Sequence, residues 1–384
     1  MSNLFPTYAR WEVEPEWAEG SYLYGKDGKK YLDFTSGIGV CNLGHRPAAV
    51  EEAVQAQLKK FWHVSNLFPV GIQECAAEKL AKAAGMDLVF FANSGAEANE
   101  AAIKLSRKAT GRKKIITFFQ SFHGRTYATM SATGQDKIKT GYGPMLETFT
   151  YVPFNDLKSL EAEMSDEAAA VMLEVIQGEG GLHPADSDFL KGVENLCKKH
   201  GSLFIIDEVQ TGNGRTGKPF AFQHYGLNPD IVSTAKGLGS GFPIGAIIGK
   251  ESLKDFFGPG SHGTTFGGNP ISVSAAIATM DIIFNDEFLA SVNKKADFLM
   301  SGLKENLQSI SIVKEIRGLG LMIGIEIDQS AAPILVDLRK AGFIALSAGE
   351  QVIRLLPPLT VTEEELQQAI EIIASILKEK VKTA

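Results

Sequence analysis

The chain has 384 residues, of which 44% are hydrophobic and 22% charged, and its formal net charge is −7. That length exceeds one ordinary hydrophobic core and requires at least two lobes, while the composition is that of a soluble globular protein. The acidic balance argues against a nucleic-acid partner, because phosphate binding needs a basic surface.

The cysteines Cys41, Cys75 and Cys197 are widely spaced, form no CxxC pair and read as free thiols in a reducing compartment. The opening residues, MSNLFPTYARWEVEPEW, carry charges where a signal peptide would carry an apolar run. No stretch reaches the roughly 18 apolar residues of a membrane span. The expected location is the cytoplasm, with no membrane contact. The histidines show no HExxH or other close metal spacing, so no catalytic metal is expected.

In chain order, short runs rich in Val, Ile and Phe recur at 88–92, 115–119, 170–175, 203–206, 231–233 and 246–248. Several lack polar alternation, as strands buried on both faces of a parallel sheet do. Helical patterns lie between some of them. In 96–108 (AEANEAAIKLSRK), Ala98, Ala101, Ala102 and Leu105 fall at helical spacing, and 189–199 is a second such segment. Alternating strands and helices predict an α/β sheet with helices on both faces. After Pro270 the texture changes. Helices are predicted over 271–284 and 287–307, strands over 312–316, 321–327 and 352–356, and a last amphipathic helix over 362–378. These features suggest a smaller α+β lobe.

The chemistry-bearing residues sit at strand ends, where open α/β sheets bind ligands. Asp207 follows the apolar run 203–206 and needs a cationic partner if it is poorly solvated. Taken alone it could equally be a cap or a surface acid. About thirty residues further on, Lys236 ends a second apolar run and precedes a glycine-rich turn. A desolvated lysine there has a lowered pKa and is a usable amine nucleophile, although an isolated lysine more often snorkels to the surface. The segment Asn93-Ser94-Gly95-Ala96-Glu97 follows strand 88–92 and opens a helix. Its first-turn amides suit an anion, and Ser94 with Glu97 also spells an ordinary capping box. Together an acid, a lysine and a phosphate-type helix start are the parts a pyridoxal phosphate site needs. Gly212, Gly214 and Gly217 fit GxGxxG, but Pro219 spoils the helix a dinucleotide site requires, so a nicotinamide dehydrogenase is set aside.

The motifs NSGAEANEAAIK (93–104), SFHGRTYATMSATG (121–134), EVIQGEGG (174–181), IIDEVQTGNGRTG (205–217), AKGLGSGFPIGA (235–246), GSHGTTFGGNP (260–270) and IRLLPPL (353–359) occur in this order. With them the chain resembles the class III (ω-amino acid) aminotransferases of the fold-type I pyridoxal-phosphate enzymes, and within these the acetylornithine branch. The resemblance implies a large domain with a mostly parallel seven-stranded sheet and a smaller α+β C-terminal domain. It divides the chain into an N-terminal segment (1–50) joining the small lobe, a cofactor-binding domain (51–270) and a small domain (271–384).

The same resemblance implies residue roles. Lys236 forms an imine with pyridoxal 5′-phosphate and then moves the proton at the reacting carbon. Asp207 pairs with the ring nitrogen, Gln210 with the ring hydroxyl, and Phe122 stacks on the ring. Gly95 and Ala96 bind the phosphate, Glu208 and Val209 are also expected to bind the cofactor, and Thr265 reaches the phosphate of a neighbouring subunit. A homodimer with its active site at the interface is therefore expected.

The substrates pose one difficulty, because an ω-amino donor and glutamate must share one pocket. Arg125 is expected to bind the distant carboxylate and Arg354 the near one, each by a bidentate clamp. Glu179 is expected to mask Arg354 while the uncharged chain of the ω-amino donor is bound. Taken singly, these charges would read as ordinary ion pairs. Thr264 is expected to touch the donor. The expected donor is N2-acetyl-L-ornithine and the acceptor 2-oxoglutarate, giving L-glutamate, as in arginine biosynthesis. Succinylornithine, N-succinyl-diaminopimelate, ornithine and 4-aminobutyrate are the alternatives. A pyridoxal-phosphate aminomutase is the rival from another class; it would keep Lys236 but need no second arginine. A non-enzymatic protein on the same fold would need no strand-end lysine. Two positions depart from the family pattern: Asn213 stands where an apolar residue is more usual, and GHRPAA (44–49) lacks the usual His before Pro.

Overall fold

The structure is a computed structural model and describes residues 3–383. Its centre is a seven-stranded sheet built from β1 (Leu88–Ala92), β2 (Lys114–Phe118), β3 (Phe149–Val152), β4 (Ala168–Glu174), β5 (Leu203–Asp207), β6 (Ile231–Thr234) and β7 (Gly245–Gly249), in the spatial order β1-β7-β6-β5-β4-β2-β3. Only β7 runs against its neighbours. Every residue of β4 is buried, which is why its sequence is an unbroken apolar run. The α/β expectation holds, and six of the strands coincide with the runs picked out above. The seventh, β3, is a short edge strand (FTYV) whose middle residues are only half-buried, so its apolar pattern is weak.

Helices cover both faces of this sheet. On one face, helix Gly95–Thr110 buries Ala98, Ala101, Ala102, Ile103 and Leu105 against Ile115, Ala170 and Ile205. On the other, helix Ser187–His200 buries Phe189, Leu190, Val193 and Cys197 among Phe118, Val171 and Phe204. Side chains alternate across a strand, so neighbouring residues of one strand serve different cores.

A four-stranded antiparallel sheet forms from Val313–Leu319, Met322–Ile327, Val352–Leu355 and Leu346–Ala348. Helices Asp286–Leu307 and Glu363–Thr383 pack together beside it. The N-terminal strands Pro15–Glu19, Tyr22–Gly25 and Lys30–Asp33 make a second sheet with Phe343–Ile344, so the start of the chain pairs with its C-terminal third. Helix Pro270–Ile283, capped by Asn269, is shared. It gives Val273, Ala276 and Met280 to the core beside the large sheet, and Ala275 and Ile283 to the C-terminal one. Helices Ala48–Leu58, Gly71–Ala84 and Ala331–Lys340 were not predicted. Neither of the first two has a side-chain cap hydrogen bond at its N-terminus, so no capping residue marks its start in the sequence. Among the described residues no helix is long and apolar enough to cross a membrane.

Because β1, β2, β4, β5 and β6 run the same way, their C-terminal ends share one edge of the sheet. Asp207 ends β5 in register with Glu174 on β4 and Ser233 on β6. Ala235 and Lys236 follow β6 directly. The loop Asn93–Ser94 follows β1, and Phe122 lies just beyond β2.

Candidate active site

At this edge lies a cavity of about 430 Å³. Gly95, Ala96, Phe122, Arg125 and Glu179 line it, as do Asp207, Val209, Gln210 and Lys236. The strand ends thus bring together residues separated by more than a hundred positions in sequence.

Helix Gly95–Thr110 opens at the cavity wall. The Ser94 side chain accepts from the Glu97 amide at 3.2 Å, and the Glu97 carboxylate accepts from the Asn93 amide at 2.8 Å. This reciprocal cap leaves Gly95 and Ala96 as the first turn, where amides and the helix dipole favour an anion. Gly95 is required by packing, since a Cβ there would lie 2.6 Å from Val209 Cγ1.

Three donors converge on Asp207. Asn99 Nδ2 and His123 Nδ1 reach Oδ2 at 2.8 and 2.7 Å, and the Val209 amide reaches Oδ1 at 3.0 Å. Burial disfavours a charged His123, but its hydrogen bond to Asp207 and the charges of Asp207 and Glu174 outweigh that and raise its pKa. Its Nε2 has no hydrogen-bond partner among the described residues. Glu174 is raised chiefly by burial, with Asp207 adding, against the pull of His123 and the amides of Phe122 and Gly178. Sequence reasoning did not single out Asn99, His123 or Glu174. A signal existed for Asn99, a lone amide on a helix face otherwise made of buried alanines, which must find a buried partner.

Lys236 is held at φ 46°, a left-handed conformation rare for a residue with a Cβ. Burial, with Arg354 acting the same way, lowers its pKa below the usual lysine range, against the opposing charge of Glu179. Such an amine is readily available as the free base.

Arg354 is only 2% exposed and does not line the cavity; it lies behind Glu179. Its Nη1 donates to Glu179 Oε1 at 2.5 Å, to the Gly178 carbonyl at 2.8 Å and to Gln210 Oε1 at 3.1 Å, and its Nη2 donates to Glu179 Oε2 at 3.3 Å. Gln210 Nε2 also donates to Glu179 Oε1 at 3.2 Å. Burial works against the Glu179 charge, but the charge and hydrogen bonds of Arg354, helped by Lys236 and Gln210, hold its pKa down at about 2. Arg125, by contrast, is exposed at the mouth, 5.7 Å from the centre of the Phe122 ring.

Three of the predicted site residues stand elsewhere. Glu208 points away from the cavity; it accepts from Thr211 Oγ1 at 2.5 Å and the Phe222 amide at 2.8 Å, and burial raises its pKa to about 7. Thr264 and Thr265 line a second cavity of about 590 Å³ with Glu97, Glu100, Lys104 and His262. Asn93 borders both cavities, and its Nδ2 donates to Thr264 Oγ1 at 3.2 Å. The variant residue Asn213 is buried, and its Nδ2 donates to Thr234 Oγ1 at 2.9 Å and to the Ala235 carbonyl at 3.1 Å, just before Lys236.

The aminotransferase class-III family matches residues 7–377. The chain belongs to that family. Among curated relatives, the acetylornithine aminotransferase of Bacillus subtilis (strain 168) is 57% identical over 371 residues, 96% of each chain. That of Halalkalibacterium halodurans is 57% identical over 377 residues, 98% of each. Among solved structures, N-acetylornithine aminotransferase from Stenotrophomonas maltophilia K279a superposes with a TM-score of 0.87 at 34% identity, covering 98% of both chains. Ornithine aminotransferase from Toxoplasma gondii ME49 superposes at 0.96 with 28% identity, covering 100% of this chain and 94% of that one.

The cofactor of this class-III aminotransferase is pyridoxal 5′-phosphate. The residues present fit it: a lysine with lowered pKa, a carboxylate at the end of the neighbouring strand and a helix start with a glycine at its first position, all on one cavity of suitable size.

Proposed function

We propose that this aminotransferase moves the δ-amino group of N2-acetyl-L-ornithine to 2-oxoglutarate, giving N-acetyl-L-glutamate 5-semialdehyde and L-glutamate, a step of arginine biosynthesis. The observation that carries the reading is the Glu179–Arg354 pair at the cavity edge, with Arg125 at the mouth. A donor reacting through its distal amine brings an uncharged chain to the reacting carbon, where Glu179 neutralises Arg354. Glutamate brings a carboxylate to the same place, and Arg354 accepts it when Glu179 swings aside. Arg125 holds the remote carboxylate in both cases. The full-length relatives named acetylornithine aminotransferase support this choice of donor.

When bound, pyridoxal phosphate supplies an electron sink for the charge that develops as the substrate carbon loses its proton. The chain's residues do the rest. Gly95 and Ala96 hold the phosphate through their amides, and Phe122 stacks on the ring. Asp207, steadied by Asn99 and His123, keeps the ring nitrogen protonated. Gln210 would pair with the ring hydroxyl and Val209 would pack against the ring, while Glu208 supports this wall from behind. Lys236 Nζ anchors the cofactor and carries the proton at the reacting carbon.

The working unit is a homodimer in the cytoplasm. Thr265 serves the phosphate in the partner's site and Thr264 the donor. In support, Trp62, Leu67, Phe68 and Phe266 are large apolar residues exposed beside the Thr264–Thr265 segment, where Asn66 Nδ2 donates to the Thr264 and Gly267 carbonyls. Apolar clusters of this kind mark association surfaces.

Steady-state turnover with 2-oxoglutarate across acetylornithine, succinylornithine, ornithine and 4-aminobutyrate tests the assignment. Acetylornithine should give the highest kcat/KM, and a higher value for any other donor overturns it.

A further inference from the structure

The loop at 178–182 carries Glu179 and is the tip of a two-stranded hairpin, closed at its base by Ile176 against Pro184 and Gln177 against His183. Its backbone is confined. Gly180 has no room for a Cβ, which would fall 2.3 Å from the Gln120 carbonyl oxygen, and Leu182 is held at φ 55°. Strained backbone of this kind persists only where its surroundings over-determine it.

The surroundings are the C-terminal antiparallel sheet. Arg317, Gly324 and Arg354 lie in one register row across its first, second and third strands, so the two arginines share a face with the glycine between them. Leu182 packs over that gap, since a Cβ on Gly324 would lie 3.2 Å from Leu182 Cβ. Arg354 grips one end of the loop through the Gly178 carbonyl and the Glu179 carboxylate. Arg317 grips the other: Nη2 donates to the Gly181 carbonyl at 2.6 Å and Nε to the Leu182 carbonyl at 2.9 Å. Its remaining nitrogen, Nη1, donates to Glu315 at 2.7 Å and Glu326 at 2.5 Å, which fix the guanidinium. Between the two arginines, the Gly349 amide donates to the Glu179 carbonyl at 3.0 Å. Arg317 does not line the cavity.

We propose that Arg317 is a positioning residue for donor selection: by fastening the Gly181–Leu182 end of the hairpin tip to the C-terminal sheet, it holds Glu179 over Arg354. The inference rests on the reading of Glu179 as the mask of Arg354. With both ends of the loop tied, admitting a carboxylate requires only rotation of the Glu179 side chain, and the ion pair re-forms in one geometry when the carboxylate leaves. With the Arg317 end released, the loop carries Glu179 away, Arg354 stands open, and α-amine donors gain over the ω-amine donor. A planar guanidinium spans two successive carbonyls, whereas a lysine ammonium is a point charge that secures one well.

The test compares half-reaction rates of the holoenzyme with acetylornithine and with glutamate in the wild type, Arg317→Met, Arg317→Lys, Glu179→Ala and the Arg317→Met/Glu179→Ala pair. Arg317→Met should move the ratio toward glutamate by about tenfold, in the same direction as Glu179→Ala. Arg317→Lys should fall between it and the wild type. The double variant should show no shift beyond Glu179→Ala alone, because both act through one element. Hydrogen exchange of the peptide spanning 178–182 should quicken in Arg317→Met. An unchanged donor ratio in the Arg317 variants beside a shifted Glu179→Ala overturns the inference and leaves the mask standing, as does a full further shift in the double variant. If Glu179→Ala leaves the ratio unchanged, the mask itself falls and this inference with it. Should Arg317→Met not fold, Arg317→Lys, which keeps a cation over Glu315 and Glu326, decides the question by the same ratio.

Discussion

Lys236 and Asp207 show why strand ends attract chemistry. A polar group at the end of a buried strand is desolvated without being sealed in, so it must be answered by whatever stands opposite. Burial lowers the Lys236 pKa, and two side chains and an amide converge on Asp207. Lys236→Ala should reduce turnover to background, and borohydride treatment of the reconstituted variant should leave no pyridoxyl adduct on the peptide containing position 236. Near-normal turnover would remove Lys236 from its assigned role. Both residues were legible in the sequence because each ends an apolar run. His123 was not, because nothing in SFHGRT distinguishes an imidazole that braces Asp207 from one that faces water.

At the level of elements, six strands of the large sheet and several of the long helices followed from apolar patterning. Helix Gly95–Thr110 appears within two residues of its predicted limits, since its alanine face and Ser94 cap both act locally. The N-terminal sheet was not anticipated, because Tyr22–Gly25 and Lys30–Asp33 are short and gain stability from pairing with distant Phe343–Ile344. One ion pair ties this sheet to the segment leading into helix Ala48–Leu58. His45 Nε2 lies 2.9 Å from Asp33 Oδ2, and the hydrogen bonds to Asp33 and Cys41 lift the His45 pKa from 6.5 to about 9, against burial. The folded-state pKa exceeds the unfolded one, so the stabilisation is complete below about pH 6.5 and is lost as pH rises through about 9. It amounts to roughly 2–3 kcal/mol. Denaturant unfolding at pH 6 and pH 9.5 should show that loss in the wild type and a flattened dependence in His45→Asn. Equal pH dependence in both proteins would exclude His45 as its source.

At the level of the whole molecule, the cavity takes its walls from the large sheet, while Arg354 reaches its edge from the C-terminal sheet. A single chain leaves Thr265 outside that cavity. If the dimer completes the site, Thr265→Ala should weaken cofactor retention by about 1–2 kcal/mol, the worth of one hydrogen bond to a charged phosphate. Sedimentation of the wild type should show a dimer that loses cofactor as it dissociates on dilution. A monomer that keeps its cofactor would refute the shared site.

The sequence by itself determined the α/β class, where most strands of the large sheet lie along the chain, and which residues stand at strand ends with nucleophilic, acidic or anion-binding chemistry. These are local consequences of periodicity, capping and desolvation. The family motifs added the expected fold and cofactor. Only the tertiary structure decided that Arg354 lies behind Glu179 instead of lining the cavity, that Glu208 turns away while Asp207 faces in, and that Arg317 shares a row with Arg354. The first depends on a contact between residues far apart in the chain, the second on the bonds of Glu208 to Thr211 and Phe222, and the third on sheet register, and none of these is marked by an apolar run or a cap.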